Sequence, residues 1–224
     1  MVFGGNHQME GRYALVLALV ALSFVVQEAL PDTEFTRLLV TWLQAATLVA
    51  AVRAARASHR YVRLTALLAA VSAAVAAVSF LVGGSVSRIT IALATALLVG
   101  VAPLVLAAGL VRDVRATLTV SLQTLCGVLA IYLLIGMFFS FTYTVIGELS
   151  DRPFFAEISD PDRSDYLYFS YTTLTTTGYG DLTAALDIGR TLAVTEALTG
   201  QIYLVTIVAL IVSNLGPRRR RPEA

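Results

Sequence analysis

The chain alternates between long apolar runs and short polar breaks. Six runs approach or exceed the roughly 20 residues that a membrane helix needs: 12–30, 36–55, 62–82, 88–110, 117–147 and 187–215. The fifth is longer than one crossing requires, so hydropathy leaves its ends open. Between the fifth and sixth runs the character changes. The stretch opens acidic, with Glu148, Asp151, Glu157, Asp160, Asp162 and Asp165, turns aromatic and threonine-rich over 166–177, and ends in a glycine-containing run. Residues 166–177 are too few to cross a bilayer but enough for a re-entrant helix. Ser164 is the expected cap of that helix, and Asp162 and Asp165 suit its positive dipole end. The pattern predicts an all-α membrane protein with six transmembrane helices and a short re-entrant helix and loop between the fifth and sixth.

Composition agrees. The 224 residues are 57% hydrophobic and 14% charged, with mean hydropathy +0.77, whereas soluble domains average about 45–50% and about 25%. A net charge of +1 gives no electrostatic footprint for nucleic acid. All 16 basic residues are arginine, and they mark sidedness. Arg53, Arg56, Arg60 and Arg63 lie at and between the facing ends of the second and third runs, Arg112 and Arg115 between the fourth and fifth, and Arg218 to Arg221 after the sixth. Glu28, Asp32, Glu34 and the acidic stretch 148–165 fall on the opposite side. Both termini are therefore expected in the cytoplasm and the acidic stretch outside. The Arg218–Arg221 run anchors this topology or meets anionic lipid. A first run cleaved as a signal peptide would leave five spans; its apolar length exceeds the usual 7–15 or so residues, and no small-x-small site precedes Pro31. Cys126, the lone cysteine, is expected as a buried thiol. His7 and His59 are isolated, and no spaced His, Cys or acid cluster suggests an enzyme or a cofactor.

A polar run at membrane depth finds no hydrogen-bond partner in lipid. One reason to keep Thr-Thr-Gly-Tyr-Gly-Asp at 176–181 there is that its carbonyls serve an ion. Gly178 and Gly180 can take positive φ, and alternating handedness turns successive carbonyls toward one axis. Thr175-Thr176-Thr177-Gly178-Tyr179-Gly180-Asp181 resembles the signature of tetrameric potassium channels. The resemblance covers 117–215 as outer helix, pore helix, filter and inner helix. It implies a potassium-selective channel conducting K+ passively across the cell membrane. Thr176 would supply a carbonyl and a hydroxyl at the cytoplasmic end of the filter, and Thr177, Gly178 and Tyr179 carbonyls. Gly180 would close the outer end. Asp181 would brace that end and lend it negative potential. One filter per chain implies a homotetramer. The domains expected are a four-helix region over 1–115, a pore domain over 116–217 and a basic tail over 218–224.

Valine is usual in the family where Thr177 stands. Two tryptophans and a glutamate often back the filter, at positions that here hold Tyr168, Phe169 and Thr172. Phe169 cannot hydrogen-bond Tyr179 or Asp181, whereas Tyr168 could. A weakly selective cation channel is therefore an alternative. A transport subunit or non-conducting receptor is another, although related transporters carry one filter glycine in each of four repeats and this chain has two in one repeat.

Gly200 lies 19 residues after Asp181. It is a hinge of the inner helix or a site of close helix packing. Gln201, Leu204, Val208 and Val212 share one helix face and would line the cavity, with Val208 or Val212 at a hydrophobic constriction. Glu196, an ionisable residue within a span, is expected behind the filter with Thr172 or Thr173 as partner. Between Arg88 and Arg112 the fourth run carries no charge, so it holds no arginine ladder and no source of steep voltage dependence. The chain beyond 215 is too short for a regulatory domain in cis.

Overall fold

The computed structural model describes residues 11–57, 59–82, 85–117 and 121–215. Within its helices the side chains of 82, 85–87, 116, 117, 208 and 210–215 lie outside that description, so Val208 and Val212 do too. His7 and Arg218 to Arg221 also fall outside the described residues. The helices are α1 (Arg12–Ala29), α2 (Glu34–Ala54), α3 (His59–Val82), α4 (Ser85–Thr117), α5 (Leu122–Leu149), α6 (Arg163–Leu174) and α7 (Asp187–Leu215).

Each apolar run becomes a helix, but side-chain caps rather than hydropathy fix several ends. The fifth helix begins at Leu122, not 117. The Ser121 hydroxyl accepts the Thr124 N–H while the Thr124 hydroxyl accepts the Ser121 N–H, both at 3.2 Å, a reciprocal box that satisfies two orphan donors. Thr33 caps α2 by accepting the Thr36 N–H. The cap of α6 is Asp162 rather than Ser164, and Asp165 accepts the Asp162 N–H at 2.7 Å. Among the described residues five helices, α1 to α5, are long and apolar enough to cross a membrane. The last helix, α7, is 29 residues long. Among the described residues the only strand pairing is an isolated bridge between Phe155 and Ala184.

The centre of the fold is α5, which packs against α1, α4, α6 and α7. Val20, Leu48, Leu106, Leu134 and Leu167, from α1, α2, α4, α5 and α6, are fully buried in one core. Cys126 packs half-buried against that core, less enclosed than expected. Contacts of α3 are with α2 and α4, and it exposes Leu64, Leu67, Val71, Val78 and Leu81, a stripe suited to lipid. Polar groups gather at opposite ends. At one end Tyr13 donates to Asp113 at 2.9 Å and Arg112 to the Ala55 carbonyl at 2.6 Å. At the other, Asp32 pairs with Arg37 at 2.7 Å and Arg163 at 3.6 Å, and Arg88 pairs with Glu148 at 3.4 Å. Asp32 thus ties the α1–α2 turn to the first turn of α6.

Candidate ion pathway

The short α6 is held from three sides. Tyr143, Phe154, Phe155, Tyr166 and Phe169 form one aromatic cluster, with Phe154 and Phe155 edge-to-face at 4.9 Å. The acidic loop therefore drives two phenylalanines beneath α6 rather than lying wholly in solvent. It also grips the chain leaving the glycine run: the Ala185 N–H donates to the Phe154 carbonyl at 2.8 Å and the Ala156 N–H to the Thr183 carbonyl at 3.0 Å. The Glu157 carboxylate accepts the Thr183 hydroxyl at 2.6 Å and its N–H at 2.8 Å, and these bonds hold its pKa below the usual glutamate value.

The helix ends at Leu174, and the chain reverses at once. The Thr172 carbonyl accepts the N–H of Thr177 at 2.8 Å and of Gly178 at 3.1 Å. Those amides face back toward α6. Thr176, Gly178 and Gly180 have φ of 57°, 54° and 82°, so left-handed residues recur at every second position. Residues 175–181 are exposed in the single chain. The two glycines take the expected backbone. Thr176 takes it too, although a side chain there costs about 1–2 kcal/mol. A left-handed threonine carries no local signature, so the sequence pattern missed it.

Tyr168 supports the C-terminal end of this run. Its hydroxyl donates to Asp181 at 2.8 Å, and its ring stacks on Tyr179 with centroids 6.2 Å apart and planes 6° apart. Phe169 is buried in the aromatic cluster, and the Thr172 hydroxyl donates to the Phe169 carbonyl at 3.0 Å. Tyr168→Phe keeps the stack and loses the bond. We expect it to weaken that end by about 1 kcal/mol, read as a roughly fivefold rise in hydrogen exchange at 179–183 with exchange in α5 unchanged.

Glu196 lies behind the run, but its partners are not Thr172 or Thr173. Tyr143 donates to one carboxyl oxygen at 2.7 Å, and the Ser170 hydroxyl lies 2.5 Å from the other. Neither partner is near Glu196 in sequence, and nothing local signals them. Gly200 is buried against the end of α6, where a Cβ would meet the Leu174 carbonyl oxygen at 2.2 Å. Gln201 and Leu204 are exposed in the single chain. Among the described residues no group of three or more His, Cys, Asp or Glu could hold a metal ion.

Residues 127–216 match a family model described as ion channel. That segment resembles ion channel domains. It covers less than half of the chain, and it contains most of α5, all of α6, the left-handed run and α7. With five of the described helices long and apolar enough to cross a membrane, the match supports a membrane protein with an ion channel function. No curated protein and no solved structure matches the chain.

Proposed function

We propose that the protein is a potassium-selective channel, formed by four copies around one axis. One observation carries this reading: left-handed backbone at Thr176, Gly178 and Gly180, with the Thr177 and Gly178 amides bonded to the Thr172 carbonyl near the end of a short helix. That handedness suits carbonyls aimed together at one ion, which a single chain cannot surround. The carbonyls of Thr176, Thr177, Gly178 and Tyr179 and the Thr176 hydroxyl coordinate K+, Gly180 closes the outer end, and Asp181 braces it. Copies meet across α7, which exposes Val194, Leu198, Ile202 and Val205 on one face. Gln201 and Leu204, with Val208 and Val212 farther along, line the inner cavity.

In this reading α7 is a sixth span, α6 is re-entrant, both termini are cytoplasmic and the acidic loop is outside. The pore domain is 116–217, the four-helix region 1–115 and the tail 218–224. The four-helix region does not sense voltage, because α4 has no charge between Arg88 and Arg112. A weakly selective cation channel is the second reading. It is favoured by the single polar support at Tyr168, since Phe169 and Thr172 are engaged elsewhere. Reconstitution into proteoliposomes tests both. Potassium flux and a bi-ionic reversal potential strongly favouring K+ over Na+ are expected. Equal permeability would leave only the cation channel, and absence of any cation flux would remove both.

A further inference from the structure

One carboxyl group sits where three helices meet behind the glycine run. Glu196 of α7 is fully buried. Tyr143 of α5 donates to its Oε2 at 2.7 Å. Ser170 of α6 has its Oγ 2.5 Å from Glu196 Oε1 and 2.7 Å from the carbonyl oxygen of Gly136 in α5. Each of these oxygen pairs needs a hydrogen between its members. The Ser170 hydroxyl owns one proton, and a carbonyl has none to give. With Glu196 ionised, Ser170 could serve only one of its two neighbours. The other pair would face each other lone pair to lone pair at hydrogen-bonding distance.

A proton on Glu196 Oε1 removes the conflict. Tyr143 then donates to Glu196, Glu196 to Ser170, and Ser170 to Gly136, and every hydrogen has one acceptor. The surroundings point the same way. The groups facing Glu196 are phenols: Tyr143 and Tyr132 from α5 and Tyr171 from α6. Tyr171 donates to the Leu133 carbonyl at 2.6 Å and Tyr132 to the Leu174 carbonyl at 3.4 Å. On α7 itself, Arg190 is bonded to the Ala184 carbonyl at 2.9 Å. Among the described residues no arginine pairs with Glu196, and an ionised carboxylate buried without a counter-charge is costly.

We propose that Glu196 is a proton-bearing positioning residue, neutral in the folded protein, that ties α7 through Ser170 and Tyr143 to the pore helix and α5. Ser170 precedes by two residues the Thr172 carbonyl that anchors the amides of Thr177 and Gly178, so the neutral chain of hydrogen bonds sets where the filter begins. That consequence rests on the filter reading above; the protonation itself does not.

The full chain in lipid nanodiscs, labelled with carboxyl-13C glutamate, tests it by infrared difference spectroscopy of wild type minus Glu196→Gln at neutral pH. A protonated-carboxyl C=O band lost in the variant, and shifted in Ser170→Ala, is the expected result. Loss of a carboxylate band pair instead overturns the proposal. Glu196→Gln, whose amide N–H can donate to Ser170 and whose oxygen can accept from Tyr143, should hold thermal stability and flux, while Glu196→Ala loses about tenfold in flux. Equal losses in the two variants also overturn it. A chain that shows the band yet conducts nothing would sink the channel reading and leave this proposal standing; a conducting chain without the band would do the reverse.

Discussion

Gly178→Ala is expected to cut potassium flux at least a hundredfold while leaving helix content unchanged. The reason is backbone handedness, not space. Gly178 has φ of +54°, and a Cβ placed there meets nothing within 4 Å. An L-residue in this region costs about 1–2 kcal/mol, hence about 4–8 kcal/mol over the four copies of the proposed ring. The relaxed state rotates the 178 carbonyl away from its neighbours, and the proposed ring loses one carbonyl from every copy at once. The control is D-alanine at 178 introduced by semisynthesis. It adds the same methyl group with the opposite backbone preference and should conduct. If the L and D forms fail alike, handedness is not what the position requires. Thr176 sharpens this point. It holds φ of +57° despite its side chain, which is the cost expected where the threonine hydroxyl serves an ion that glycine could not.

What could be read from the chain follows from how far each physical signal reaches. Hydropathy is local and strong, so seven helical stretches were visible as six apolar runs and one short polar-aromatic segment. Glycine's freedom is local too, which exposed Gly178 and Gly180. Helix ends answer to hydrogen bonds instead. The start of α5 depends on Ser121 and Thr124, and hydropathy alone ran past it to 117. The partners of Glu196 were beyond reach for a different reason. Ser170, Thr172 and Thr173 all offer hydroxyls within one turn, and only the rotation of α6 against α7 decides which faces the carboxyl; Thr172 spends its proton on the Phe169 carbonyl. Phe154 and Phe155 carried a usable signal, since two adjacent phenylalanines in an acidic loop demand burial, and the structure places both beneath α6.

Gly200→Ala is expected to lower stability and selectivity together, and so to separate packing from hinge motion. A Cβ at 200 would lie 2.2 Å from the Leu174 carbonyl oxygen and 2.9 Å from Leu174 Cδ1. Leu174 is buried and ends α6, immediately before the left-handed run. A side chain could swing aside, but the carbonyl belongs to the backbone that leads into the left-handed run, so α6 and α7 must separate. Overpacking of this kind costs about 1–3 kcal/mol, equivalent to about 2–4 °C in thermal midpoint for each kcal/mol in a chain of this size. The displaced Leu174 carries Thr176 with it, and the K+ over Na+ permeability ratio should fall. A pure hinge predicts otherwise: alanine would stiffen α7, change open probability, and leave midpoint and permeability ratio intact. Leu174→Ala added to Gly200→Ala removes the Cδ1 contact and keeps the carbonyl. The double variant should therefore remain defective, and full recovery would show that the leucine side chain, not the backbone of α6, is what Gly200 accommodates.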